Sequence, residues 1–212
     1  MTTRTIAGAG RAAARVALMA ALDAETIMLA TEDVLRRYGP AKATVVDVAR
    51  ALGVSHAAVY RHFPSKAALR EAVARRWLGR ANHALQAIVD DHSRTPPERL
   101  RAWLVALFRS KRQSAVDEPE LWATFLVLVQ TDSPAAIDHV ADLMTQLETI
   151  VAAGVASGDF DAPDTAATAR TVFAASAEFH HPGLAALWSR PGQDEALDSV
   201  CTLIVNGLRP GR

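Results

Sequence analysis

From residue 22 onward, apolar residues recur with the 3.6-residue period of a helix, and no stretch between turn signals alternates with the period of a strand. Ile27, Ala30, Val34, Leu35 and Tyr38 form one stripe, which Gly39–Pro40 ends. Val45, Val48, Ala49 and Leu52 form a second, short stripe stopped by Gly53. Ser55 is placed to cap a third short helix running to about His62, and Pro64–Ser65 breaks the chain again. A fourth helix is predicted from Lys66 to about Asp91, with Leu69, Val73, Trp77, Leu78, Ala81, Leu85 and Ile88 facing inward.

Thr95-Pro96-Pro97-Glu98 is a capping box with proline at the first helical position. Leu100, Trp103, Leu104, Leu107 and Phe108 follow at helical spacing. Asp117 with Glu120 repeats the capping pattern ahead of Leu121 to Val129. Ser133–Pro134 opens a long helix through Ile137, Val140, Met144, Leu147 and Val151, ending near Gly158. Asp161–Pro163 opens another, to about His181, which Pro182–Gly183 breaks; Leu197, Val200, Cys201, Ile204, Val205 and Leu208 make the last stripe. The pattern predicts an all-α chain of about nine helices, with no internal repeat and no long linker.

Composition adds limits. The chain has 212 residues, 50% hydrophobic and 22% charged, which suits a packed globular protein and not a disordered one. The single cysteine, Cys201, excludes an intrachain disulfide and fits a reducing, cytoplasmic setting; on its apolar stripe it reads as inert core. The longest apolar stretch, Phe125 to Val129, is far below the ~18–20 residues of a membrane span.

The zero net charge conceals a split: residues 1–95 carry 14 Lys+Arg against 8 Asp+Glu, and residues 96–212 carry 9 against 15. A basic first half suits a polyanionic partner, with chance clustering of solvated charges as the alternative. Residues 1–21 hold Arg4, Arg11 and Arg15 and no acid, and read as a basic N-terminal extension. A transit-like segment, a disordered arm and a helical extension are the other readings.

The segment Thr44 to Phe63 carries the most chemistry. Ala49 is small where two helices cross closely, and Gly53, four residues on, sits where a left-handed turn is easiest without a Cβ. Val54 and Val59 anchor the second helix on the first, leaving His56, Ala57, Tyr60 and Arg61 outside. Thr44 caps the first helix, Ser55 the second, and Lys66 begins the next; each start offers free N–H groups to a phosphate. This is helix-turn-helix physics.

Over residues 22–80, including the phrase Val59-Tyr-Arg-His-Phe-Pro-Ser-Lys66, the chain resembles the TetR family of transcriptional regulators. The resemblance implies a three-helix DNA-binding domain at 22–81, with its helix-turn-helix at 44–63, and a helical ligand-binding and dimerisation domain at 82–212. It makes Ser55 to His62 the recognition helix in the major groove. His56 and Ala57 match its base-reading start, Arg61 a guanine or phosphate contact, and Tyr60, His62 and Lys66 backbone contacts. Thr44, Val45 and Val46 match the start of the preceding helix, Val46 standing where arginine is common.

The resemblance further implies a homodimer on a palindromic operator, released by a small effector. The two last helices carry Ala166, Ala169, Ala174 and Ala177 and the face Leu197 to Leu208, which suit a four-helix interface; packing inside the monomer is the alternative. Trp103, Phe108, Trp122, Phe125, Met144 and Phe173 are candidate pocket walls, or plain core, with His139, Gln146 and His180 as candidate polar contacts. Arg109, Lys111 and Arg112 follow an apolar stripe and are expected to face water, so a largely apolar effector is expected. His180–His181 read as helix-end histidines, because adjacent helical side chains diverge by about 100° and serve one metal poorly. Neither HExxH, CxxC, GxSxG nor GxxxxGK occurs, so no metal, cofactor or catalytic set is expected. The competing readings are a DNA-binding regulator without effector, and an all-α enzyme or carrier with a structural helix-turn-helix.

Overall fold

The computed structural model describes residues 22–211; the basic N-terminal extension expected at 1–21 lies outside them. Among the described residues there are nine α-helices, two 3₁₀ turns and no strand. The helices are α1 Ala24–Lys42, α2 Val45–Ala51, α3 His56–His62, α4 Lys66–Val89, α5 Pro96–Asp117, α6 Pro119–Gln130, α7 Pro134–Ser157, α8 Thr165–Ala175 and α9 Gln193–Gly207. The 3₁₀ turns, Ala177–Phe179 and Pro182–Leu187, lie between α8 and α9.

Side chains set most of the helix starts. Asp23, Ser55, Ser65, Ser133 and Asp164 each accept a hydrogen bond from a first-turn N–H, and Thr44 and Thr95 form capping boxes with Asp47 and Glu98. Within α1, Gly39 has φ 71° and ψ 167°, so the regular helix stops there, as Gly39–Pro40 predicts. Gly53 takes φ 66° between α2 and α3.

Three local expectations need correction. Asp117 closes α5 and does not cap α6; Glu118 precedes Pro119 without a side-chain cap bond. Its carboxylate reaches out of its own helix, accepting from Arg36 of α1 (2.9 Å) and from the Trp77 indole of α4 (2.6 Å). The inward face of α7 is Ala136, His139, Leu143, Gln146, Leu147 and Ile150, while Ile137 and Val140 are 56% and 43% exposed. Small and polar residues face inward because their polar atoms find partners on α4 and α5. Finally, α8 ends at Ala175 and not near His181. The Ser176 hydroxyl and the His180 ring satisfy the carbonyls of Val172 and Phe173, so the chain can leave the helix without orphaned acceptors.

A continuous core links the two ends of the molecule. Ile27, Val34 and Leu35 of α1 pack with Val48, Val59 and Leu69 at one end, and Trp103, Phe108, Leu143 and Leu147 fill the other. α4 runs unbroken past residues 81–82 and packs on both α1 and α7. α6 lies along α1. At that junction Glu32, buried on α1, accepts from Arg36 (3.1 Å), Arg76 (2.6 Å) and Arg80 (3.1 Å).

Candidate nucleic-acid interface and ligand cavity

α2 and α3 form the outer corner at one end. The Asp47 carboxylate accepts from the Thr44 hydroxyl (2.6 Å) and backbone N–H (3.2 Å), which hold its pKa below the usual carboxylate range. Ser55 caps α3 by accepting from Ala58 N–H at 3.2 Å. Ala58 and Val59 turn inward, at 0% and 1% exposure, so His56, Ala57, Tyr60, Arg61 and His62 stand exposed. The His56 and Tyr60 rings meet edge to face at 6.4 Å. No ion pair among the described residues engages Arg61 or Lys66. Lys66 is half-buried, and burial lowers its pKa.

Of the residues expected here, Thr44, Val46, Ser55, His56, Ala57, Tyr60, Arg61 and His62 share this exposed corner, with Lys66 at the start of α4 beside it. Val45 differs: its side chain is buried in the core, so it offers a partner only its backbone.

A cavity lies at the other end, between α5, α6, α7 and residues 173–182. It measures about 350 Å³ and is walled by Phe125, Val129, Ala136, Val140, Leu143 and Phe173, with Lys111, His139 and His180 as buried polar residues. Ile137, Asp132, His181 and Pro182 complete the lining.

The cation was expected to face water, and it does not. Lys111 is only 7% exposed; it occupies the stripe position three residues after Phe108 and four after Leu107, which turns it inward with them. Its Nζ lies 2.7 Å from His139 Nε2 and 4.8 Å from the centre of the Phe125 ring. Burial pushes the Lys111 pKa down to about 7. His139 is pushed down to about 2, mainly by burial and then by Lys111, so its ring is neutral at pH 7. When the Lys111 ammonium donates to Nε2, the ring proton is on Nδ1; that nitrogen is buried without a partner. His180 stacks on Phe173 at 4.1 Å and its Nε2 donates to the Phe173 carbonyl at 2.9 Å. Burial lowers its pKa to about 4, so it is neutral, not the charged helix-end histidine expected.

Two family models match the chain: that of bacterial regulatory proteins of the tetR family over residues 27–73, and the Tetracyclin repressor-like C-terminal domain over residues 96–201. The chain belongs to the TetR family. A relative, the HTH-type transcriptional regulator EthR of Mycobacterium tuberculosis, is 28% identical over 135 residues, a match spanning 57% of this chain and 62% of that protein. The chain thus covers less than two thirds of that relative's length. Among solved structures, a protein of unknown function from Rhodococcus sp. RHA1 is 26% identical with a TM-score of 0.65, covering 88% of this chain and 95% of its own. A TetR transcription regulator from Haloarcula marismortui aligns with a TM-score of 0.67 at 21% identity, covering 87% and 97%.

Within this TetR-family body the expected pocket residues divide. Phe125, His139, Phe173 and His180 meet at the cavity. Trp103, Phe108, Trp122, Met144 and Gln146 do not line it. Trp103 is fully buried and donates through Nε1 to Gln146 (2.8 Å), whose amide donates to the Asn82 carbonyl (3.0 Å), tying α5, α7 and α4 together. Phe108 packs edge to face on Phe179 and Trp188, and Trp122 on Trp77 and Trp188. Met144 packs against the core from its half-buried place on α7. Of the cations following Phe108, Arg109 is exposed, while Arg112 lies over the Phe108 ring and pairs with Asp194 at 2.9 Å. The sequence reading missed the other lining residues, Lys111 and Leu143 among them, and helical spacing alone carried the signal for these two.

Among the described residues no cluster of three or more His, Cys, Asp or Glu has metal-binding geometry, and no helix is long and apolar enough to cross a membrane. Cys201 is buried and its thiol is pushed up to about 11, which keeps it protonated and unreactive.

Proposed function

We propose that the protein is a ligand-responsive transcriptional repressor, acting in the bacterial cytoplasm as a homodimer on a palindromic operator. Residues 22–81 serve as the DNA-reading head, and residues 82–212 as the effector-binding and dimerising body. The observation that carries this reading is the double duty of α6. Its Leu121–Trp122 end packs against the head beside α1, while Phe125 and Val129 wall the cavity. The Glu118 carboxylate just before it holds Arg36 and Trp77. A molecule filling the cavity therefore bears on the helix that seats the head.

In a dimer the two copies of α3 must span about 34–36 Å to enter successive major grooves. A displacement of a few ångströms per head loses one half-site, and the operator is released. The dimer forms through α8 and α9, whose shared groove of about 400 Å³ is lined by Ala167, Thr171, Val172, Leu203 and Ile204. Leu203, at 73% exposure, is the most exposed large apolar side chain among the described residues.

Selection of bound duplexes from a random pool by the full chain tests the reading. Enrichment of an inverted repeat with half-sites about one helical turn apart is expected. Failure to enrich any sequence rejects it.

A further inference from the structure

We propose that the cavity takes an amphiphilic monocarboxylate, whose carboxylate pairs with Lys111 while its apolar body fills the space between α6, α7 and Phe173. This rests on the cavity being the effector site.

Three observations converge. Lys111 is a buried cation on the cavity wall whose one hydrogen-bond partner is a neutral histidine, although an ammonium has three donors. Beside it His139 Nδ1 is buried with no hydrogen-bond partner. Apart from Asp132 in the exposed α6–α7 turn and His180 and His181, the rest of the wall, with Phe125, Val129, Leu143 and Phe173, is apolar. The site therefore holds a cation with unused donors beside a largely apolar void.

The surrounding charges do not fill that role. No ion pair among the described residues includes Lys111. Asp132 lies at the mouth, in the exposed turn between α6 and α7. His180 and His181 approach from the 173–182 wall. On its far side Lys111 borders a cleft containing Arg80 and Glu118, but the Glu118 carboxylate is held by Arg36 and Trp77. A neutral ligand would leave the amine desolvated and under-bonded, whereas a carboxylate supplies both charge and acceptors. One cation and about 350 Å³ suit a single negative charge on a compact body; a nucleotide or polyphosphate would bring several charges against one amine. Because burial lowers the Lys111 pKa to about 7, binding an anion near pH 8 draws a proton onto the amine.

Isothermal titration of the full chain with decanoate, phenylbutyrate and naphthoate, each beside its matched alcohol, tests the inference. At pH 8, in two buffers of different ionisation enthalpy, at least one acid should bind about tenfold or more tighter than its alcohol, taking up close to one proton. Lys111→Met should abolish both the preference and the uptake. Equal binding of acid and alcohol, no proton uptake, or an acid bound by Lys111→Met as by the natural chain overturns the inference, as does no binding by any acid. Should the variant not fold, the acid-to-alcohol ratio and the proton count on the natural chain decide alone. No DNA is present, so this outcome is separate from duplex selection, on which the repressor reading stands.

Discussion

Replacing Lys111 by methionine should change the sign of its effect on stability across a modest pH range. The unfolded chain keeps this proton to about pH 10, whereas the folded chain releases it near pH 7. Between those values the unfolded state binds more protons, so the lysine-containing protein gains stability as pH rises, by about 1.4 kcal/mol per pH unit. Methionine has no such proton and fills a similar volume. Its advantage is therefore greatest at and below pH 7, where the lysine costs of order 4–5 kcal/mol, and it vanishes near pH 10. Against it stands a loss of about 1–3 kcal/mol, independent of pH above 7, because His139 Nε2 is left buried without its donor. The Lys111→Met variant should thus be the more stable protein at pH 7 and the less stable one near pH 10. Urea unfolding followed by tryptophan fluorescence at pH 7, 8, 9 and 10 gives the difference directly. A difference that stays constant over that range would refute the burial of an unpaired amine.

Two further outcomes follow from packing. A Cβ on Gly154 would lie 2.0 Å from Phe160 Cδ2 and 2.7 Å from its Cγ, against a ring only 3% exposed. Gly154→Ala should therefore lower stability by about 1–3 kcal/mol despite the gain of roughly 1 kcal/mol in helix propensity, seen as a lower Tm; an unchanged or raised Tm would show that the ring moves aside freely. Leu203→Glu, on the exposed face of α9, should leave the Tm of the monomer fold nearly unchanged and shift sedimentation from dimer to monomer at micromolar concentration; a dimer that persists would place the interface elsewhere.

The helix-turn-helix was legible because every device that shapes it is local. Thr44 with Asp47, Ser55 with Ala58 and Gly53 at positive φ each act within four residues, so the chain alone declares them. The cavity is not local. In α7 two overlapping stripes compete, one through Ile137, Val140 and Met144, the other through Ala136, His139 and Leu143. Hydrophobicity favours the first, but the partners waiting on α4 and α5 turn the second inward, and those partners are far away in sequence. Lys111 was hidden for the related reason that an apolar stripe is read as ending at its first charge. Helical spacing from Leu107 and Phe108 already placed it on the inner face. The large aromatics misled in the opposite direction: Trp103, Phe108 and Trp122 are so thoroughly enclosed by one another's neighbours that none is left to face the void.

The most direct test of the DNA-reading head is the salt dependence of binding to a selected duplex and to its scrambled counterpart, measured by fluorescence anisotropy for the natural chain and for Arg61→Ala. Phosphate contacts predict that affinity for both duplexes falls steeply with salt, by a slope of about −0.9 per phosphate neutralised. A base contact by Arg61 predicts that Arg61→Ala narrows the preference for the selected duplex by about 1–3 kcal/mol, a 5- to 150-fold change. Affinity indifferent to salt would contradict the DNA-reading head, and an unchanged preference in Arg61→Ala would contradict a base contact by Arg61.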